Sequence, residues 1–409
     1  SSRLPLRRTV TSTVTSSPER RITCAITTTS LSASSGGYSV LLKATSLQGC
    51  TRANYEFEDI ICGCDDIDLI APRPRGTETA IQRWRNRLAY RMPSFRFDPG
   101  IEPMRIAGDY DLFLTTCEFV NDLQTFDLVN DWKKSSRISA CYLSELWVRA
   151  ISDNQRLVSR LADFDHIFVN CAASVEPLSA QIGRPCHYLP PAVDAIRYCP
   201  WPNPQWRSID VYSMGRRDAE MHRELLQARQ RDGLFYLYDS YDIHSRKEWC
   251  VSDYREHRML SAQLIQRSRY FIVNPAKLDC GAETAGQQEV GNRFFEGAAG
   301  GSVMIGRPVD TDIYRSHFDW EDAVIPVYGK NATITDVIAD LNRQPERVEL
   351  ARRNNVREAL MRHDWVYRWE QILAKIGMQP SHKLNERKAE LARLKNTIPA
   401  VYLDEAAAA

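Results

Sequence analysis

The feature that most restricts how this chain can fold is an alternation of short apolar runs with helical stretches, interrupted once and then resumed. It begins at Tyr38–Leu42, after Ser35-Gly36-Gly37, and continues with the apolar run Ile67–Ile70, which Ala71-Pro72-Arg73-Pro74 ends. Thr79–Arg91 places Ile81, Trp84 and Leu88 three and four residues apart, the period of a helix face. Tyr110–Leu114 and Arg137–Leu143 read as strands, Asn154–Leu161 as helix, Asp165–Asn170 as strand, Ser174–Ile182 as helix and Cys186–Leu189 as strand. Pro200-Trp201-Pro202-Asn203-Pro204 suits neither a helix interior nor a central strand, and predicts a linker. Beyond it, strands are expected at Ile209–Ser213, Leu234–Tyr238, Tyr270–Val273, Ser302–Ile305 and Ala323–Pro326. Helices are expected between them at Ala219–Arg229, Tyr254–Gln266, Arg293–Ala299 and Ile334–Leu341. Arg347–Leu360 and Trp365–Ile376 read as closing helices, with a charged helix or tail from about Pro380.

Strands alternating with helices at this spacing predict βαβ units on parallel sheets. A chain of 409 residues is too long for one ordinary core and suits two. The expected fold class is therefore α/β, with two Rossmann-like domains around an interdomain cleft. The expected division is a leader at 1–37, a first domain at 38–199, a second at 200–360, a crossing helix at 361–379 and a charged end at 380–409. Open α/β sheets bind ligands outside the carboxyl ends of their strands, which predicts a binding place without naming its chemistry.

Composition narrows the chemistry. With 53 basic and 52 acidic side chains the formal net charge is +1, so the global basic excess of a nucleic-acid binder is missing. The 11 cysteines are scattered without paired CxxC units, which fits reduced thiols in a cytoplasmic protein rather than a zinc site. Cys62-Gly63-Cys64 is too tightly spaced for a metal knuckle. No apolar run approaches the roughly 20 residues that span a bilayer, so a soluble or peripheral protein is expected. Residues 1–37 are Ser/Thr-rich, with Arg3, Arg7, Arg8, Arg20 and Arg21 against Glu19 alone. That composition suits a disordered leader, and it also occurs in transit peptides.

The strongest chemical signal is Asn292-Arg293-Phe294-Phe295-Glu296-Gly297-Ala298-Ala299-Gly300-Gly301, a helix that meets a double glycine before a strand. Glu296 early in the helix is favoured by the positive dipole end, and its carboxylate suits a pair of sugar hydroxyls. Gly297, Ala298 and Ala299 are small enough to let a ligand approach the backbone. The same pattern also arises where a helix carrying an early Glu simply stops at Gly. Ile209–Ser213 followed by Met214-Gly215-Arg216-Arg217 places a flexible glycine and two guanidiniums after a strand and before a helix, an arrangement suited to an anion.

The segment 293–301 resembles the "F/L-E-A-small-A-x-G" motif of group 1 glycosyltransferases with the GT-B fold, and with Arg293 it is most similar to their CgeB-like branch. The resemblance implies a nucleotide-sugar donor whose ribose is gripped by Glu296. Gly215-Arg216-Arg217 is similar to the family's "strand-x-G-R" opening of the second domain, which implies a diphosphate contact. Leu189-Pro190-Pro191-Ala192-Val193-Asp194 through Tyr198-Cys199-Pro200 looks like the family's interdomain junction, with Ala192 for the usual glycine and Asp194 suited to cap the next turn. His363-Asp364-Trp365 is similar to the start of the helix that crosses back to the first domain. The family's other acidic residue, eight positions before Glu296, falls on Gln288, with Glu289 one position off and Glu283 the remaining acid nearby.

The expected function is glycosyl transfer from a nucleotide-diphosphate sugar to a glycan, lipid or small-molecule acceptor, with no nucleic acid partner. The resemblance implies retention of anomeric configuration and no resident metal or other cofactor. Arg216 and Arg293 are the expected catalytic cations, stabilising the leaving diphosphate. Gly215, Arg216, Arg217, Arg293, Glu296 and Gly297 are the expected donor-binding set. Asp66-Ile67-Asp68 formally matches a metal-binding DxD but reads as a strand entry. Asp109, Glu118, Glu145 and His166 lie at first-domain strand borders, where an inverting enzyme would keep a base. Trp147, Trp201, Trp206 and Trp320 carry no expected role. Two alternatives share the scaffold: a non-catalytic nucleotide-sugar-binding protein, favoured by Gln288, and a sugar-nucleotide epimerase, which would need acid–base pairs.

Overall fold

The computed structural model describes residues 39–42, 52–73, 75–76, 81, 84, 88, 99–239, 253–327 and 333–399. The leader, most of the helix expected over Thr79–Arg91 and the end of the chain lie outside these residues. Gly37–Ala409 forms one compact unit.

In chain order the strands are β1 (Ser39–Leu42), β2 (Ile67–Ile70), β3 (Met104–Arg105), β4 (Tyr110–Cys117), β5 (Val129–Asn130), β6 (Ser136–Leu143), β7 (His166–Val169) and β8 (Cys186–Tyr188). The second half contributes β9 (Ile209–Ser213), β10 (Tyr236–Tyr238), β11 (Ser268–Val273), β12 (Val303–Gly306) and β13 (Ile325–Pro326). Six strands form one sheet in the order β2-β1-β4-β6-β7-β8, and five form another in the order β10-β9-β11-β12-β13. Every pairing in both is parallel. Both orders are of the doubly wound kind, whose crossovers reverse direction between the first and third strands. That reversal lies between β1 and β4 in one sheet and between β9 and β11 in the other.

Strand periodicity sends alternate side chains to opposite faces. In the second sheet Val211, Ile272 and Ile305 face one buried cluster with Leu225 and Ile338, while Tyr212, Phe271 and Met304 face another. The latter cluster also takes in Leu112, Leu114, Tyr142 and Phe168 of the first sheet, so one continuous apolar core joins the two Rossmann-like layers. Gly297 belongs to this packing: a Cβ there would meet Met304 Sδ at 2.7 Å and Phe271 at 2.8 Å.

The junction and the crossing helix meet as the sequence suggests. Asp194 caps the turn Ala195–Tyr198 by accepting from the Arg197 N–H, and Asp364 caps Trp365–Ile376 by accepting from the Val366 N–H. The two segments are stitched together: the Ala195 N–H donates to Asp364 Oδ2 at 2.9 Å, and Val193 bridges Asp364. Trp365 then packs on Phe57, with ring centroids 5.2 Å apart, and Trp369 donates to Asp65 Oδ2 at 3.1 Å. The last described helix, His382–Asn396, lies on the same first-half surface, where Arg387 pairs with both Asp194 and Asp364.

The structure adds and adjusts some elements. The helix Arg52–Cys64 has no counterpart in the expectations, because its buried positions include Asn54, Glu56 and Glu58, which break the apolar pattern. Asn154–Leu161 divides into the short helix Gln155–Val158 and a 3₁₀ stretch, Ser159–Asp163. Asp68 is inside β2 rather than in a loop before it, and accepts from the Tyr110 hydroxyl at 3.3 Å.

Candidate donor site

The switch point of the second sheet is where the expected binding residues gather. After β9 the chain turns at Gly215, whose φ of +81° lies in the left-handed region that glycine tolerates. The Gly215 N–H donates to Asp239 Oδ2 at 2.8 Å, which ties the turn to the end of β10. Arg217 donates to Asp239 Oδ1 at 2.5 Å and to its carbonyl at 2.7 Å, so this guanidinium braces the loop from below. Arg216 points the other way, donating to Asp279 Oδ1 at 2.8 Å and to Cys280 Sγ at 3.1 Å in the loop after β11. The same loop carries Lys277, which pairs with Glu283 at 2.8 Å and with Glu145 of the first half at 2.7 Å. Both carboxylates outweigh burial and raise the Lys277 ammonium well above the usual lysine range.

Arg293 completes the cluster from the first turn of the helix Asn292–Ala299. Its guanidinium is split between two neighbours. Nη1 donates to Glu296, while Nε and Nη2 each stand 3.9 Å from where a Cβ on Gly215 would be. A side chain at 215 would therefore meet both backbone strain and this guanidinium. Gly215, Arg216 and Arg293 are thus brought together, with Lys277 nearby through Cys280.

Some expectations need correction. Glu296 was expected to face the cleft and hold a ribose. It is fully buried instead, with its carboxylate engaged by Arg258 and Arg293. Burial alone would push its carboxyl up, but Arg293 and Arg258 outweigh that and hold it down at about 2. Its place in the second turn of a helix whose residues Phe294–Ala299 are all buried turns it toward the interior rather than the edge. Gly297 makes no approach to a ligand, since its missing side chain serves the sheet packing described above. The helix Ala219–Asp232 does not offer a bare N-terminus either, because the Asp218 carboxylate accepts from the Glu220 and Met221 N–H groups at 3.0 Å.

Of the acids that could serve a first-half base, only Glu118 and Glu145 follow the carboxyl ends of β4 and β6. Asp109 precedes β4 and His166 opens β7, so both lie at the opposite edge. Glu289 does reach across: it accepts from the Ala172 and Ala173 N–H groups at 3.1 and 3.2 Å, while Gln288 accepts from the Asp310 N–H at 3.3 Å. With Val148 N–H donating to Gln287 Oε1 at 2.9 Å, these bonds set the carboxyl edges of the two sheets face to face. Sequence reasoning missed Lys277, Asp239, Glu56 and Arg258. Lys277 was legible as a cation just past a strand end; the others carry no local signal, because their partners lie far away in sequence.

A cavity of about 440 Å³ lies elsewhere, between Arg52–Cys64 and His382–Asn396, and none of the carboxyl-edge residues lines it. Among the described residues no three His, Cys, Asp or Glu side chains are grouped as metal ligands, and no helix is long and apolar enough to cross a membrane.

Comparison with known proteins places part of the chain beside a known family. Residues 216–374 match the model of a family described as "Glycosyl transferase-like". A search of curated proteins returns no match. Among solved structures, an α-glucosyltransferase in complex with UDP and a 13-mer DNA containing an HMU base is similar with a TM-score of 0.50 at 11% identity, over 83% of this chain and 99% of that one. A UDP-forming α,α-trehalose-phosphate synthase from Burkholderia vietnamiensis gives a TM-score of 0.47 at 11% identity, over 86% of this chain and 99% of that one. At 11% identity the likeness to the α-glucosyltransferase speaks for the fold alone, and the family match concerns residues 216–374. Residues 216–374 thus resemble glycosyl transferase-like proteins, and the two Rossmann-like layers of the chain have the GT-B arrangement seen in an α-glucosyltransferase of similar fold.

Proposed function

We propose that the donor's diphosphate binds at the β9–β11 switch point, against Gly215, Arg216 and Arg293 with Lys277 beside them, and that the sugar is passed to an acceptor held on the facing edge. The observation that carries this reading is the split guanidinium of Arg293, whose Nε–Nη2 side faces the glycine turn that follows β9. Breaking the bond between sugar and diphosphate leaves negative charge on the phosphate oxygen. Fixed cations at that place stabilise it more in the transition state than in the ground state. The same cations support a transfer that needs no resident metal. Retention follows the family resemblance. Glu296 acts in this reading as the anchor of Arg293. A nucleoside diphosphate such as UDP, which an α-glucosyltransferase of similar fold binds, is the first ligand to test. The acceptor is a glycan, a lipid or a small molecule. A cytoplasmic location is part of the proposal, supported by the free thiols of Cys62, Cys64, Cys117, Cys141, Cys171, Cys186, Cys199 and Cys280.

Calorimetric titration with UDP, GDP and ADP tests the proposal. One of them is expected to bind, and Arg216→Ala is expected to weaken it while leaving the weak affinity of the matching nucleoside unchanged. Absence of binding by all three, together with no release of sugar from their hexose conjugates, overturns it.

A further inference from the structure

Arg293 is the outer end of a buried chain of charges that runs from the donor site into the first half of the molecule. Glu296 pairs with Arg293 and with Arg258. Arg258, on the helix Tyr254–Gln266, also grips Glu56 with both sides of its fork, Nε to Oε2 at 2.7 Å and Nη2 to Oε1 at 2.9 Å. Glu56 belongs to the helix Arg52–Cys64, outside the family match, and is itself fixed by the Asp194 N–H at 2.9 Å and the Trp365 indole at 3.1 Å. The side chains of Arg258, Glu56 and Glu296 are 3%, 1% and 1% exposed, whereas Arg293 is 30% exposed. Arg293 is therefore the open end of the chain beside the Gly215 turn, while at the Glu56 end Arg197, 28% exposed, meets Glu56 Oε2 at 3.7 Å.

Each charge along the chain has an opposite partner, Arg197 with Glu56 and Asp194 included, which makes such burial tolerable; taking one away leaves an uncompensated interior charge. The order also has a geometric consequence. Because Arg258 holds one side of Glu296, only Nη1 of Arg293 is drawn inward, and its Nε–Nη2 side stays turned to Gly215. Without Arg258, the planar fork of Arg293 would close bidentately on the bare carboxylate, the arrangement guanidinium and carboxylate favour, and turn away from the loop.

We infer that Arg258 and Glu56 are positioning residues for donor binding, acting on the diphosphate through Glu296 and Arg293. This rests on the proposed donor site, and it makes a first-half helix part of the nucleotide-binding apparatus.

The test is a double-mutant cycle on the full chain, using whichever of UDP, GDP and ADP binds the wild type. Arg258→Met is expected to weaken that nucleotide on the order of tenfold, with the nucleoside unaffected. Arg258→Lys is expected to recover part of the loss, since it restores the charge without the fork. In an Arg293→Ala background Arg258→Met is expected to cost no further affinity. Glu56→Gln, which keeps hydrogen-bonding groups in place, gives the same pattern with a smaller loss and carries the cycle if Arg258→Met does not fold. A folded Arg258→Met or Glu56→Gln with a lowered Tm but wild-type affinity overturns the inference, and so do losses that add to that of Arg293→Ala. If Arg293→Ala weakens binding and these variants do not, the donor site holds and the inference alone falls. If the wild type binds no nucleotide, both fall.

Discussion

The two sheets share one topology and differ in the charge at their carboxyl edges. Past β4 and β6 the first sheet presents Glu118 and Glu145; past β9, β11 and β12 the second presents Gly215-Arg216-Arg217, Lys277 and Arg307. Doubly wound sheets offer a crevice at the switch point whatever residues line it. The second edge is the richer in cations, although Arg216, Arg217 and Arg307 pair there with Asp279, Asp239 and Asp218, and it is the edge to which the proposed donor site is assigned. The Glu145–Lys277 ion pair, 2.7 Å across the gap, shows the two edges complementing each other.

The comparison breaks most severely if the basic edge loses its interior anchor. Glu296→Ala removes the shared partner of two guanidiniums and is expected to cost about 3–5 kcal/mol of stability, measured by chemical denaturation; a loss near zero would show that the buried chain is not needed. Next, Arg293→Ala is expected to lower transfer on the order of 100-fold, measured as kcat/KM for the donor, with a far smaller effect from Glu118→Gln on the acidic edge. Equal losses from the two would erase the distinction between the edges.

Stability must be separated from edge charge when such assays are run across pH. His363 is buried and His317 half-buried in the second half, where burial, reinforced by Arg368, lowers both, His317 to about 4. Their unfolded forms take a proton near the ordinary value while the folded forms stay neutral. Stability is therefore complete above about pH 6.5 and falls as pH drops toward 4, by about 1.4 kcal/mol per pH unit for each histidine. Thermal unfolding between pH 7 and 5 should show this fall, and His317→Asn should flatten it; a Tm that rises on acidification would refute the assignment. Gly215→Ala is expected to cost about 1–2 kcal/mol from its left-handed backbone, and to weaken nucleotide binding through the strain it puts on the turn beside Arg293. The smallest effect is expected from Glu145→Gln, which loosens the contact between the edges and should change the donor KM only a few-fold at low salt.

Much of the layout was legible along the chain. Ile209–Ser213, Tyr254–Gln266 and Trp365–Ile376 appear with their expected bounds, because strand and helix periods are local properties of side-chain order. The Gly215-Arg216-Arg217 turn was legible for the same reason. Glu296 was located correctly as an unusual carboxylate but assigned the wrong surroundings. A helical position specifies which face a side chain is on, but not what the rest of the molecule brings to that face.

By itself, then, the order of residues determined two parallel α/β layers, a break near Pro200 and a cationic turn after a strand. The tertiary structure alone decided that Glu56, Arg258 and Glu296 meet inside the molecule, with 202 residues separating the first pair. The physical reason is range. Hydrophobic period and turn chemistry act over a few residues, whereas the cost of burying a charge is met by whichever partner folding brings near, and no local pattern encodes that partner.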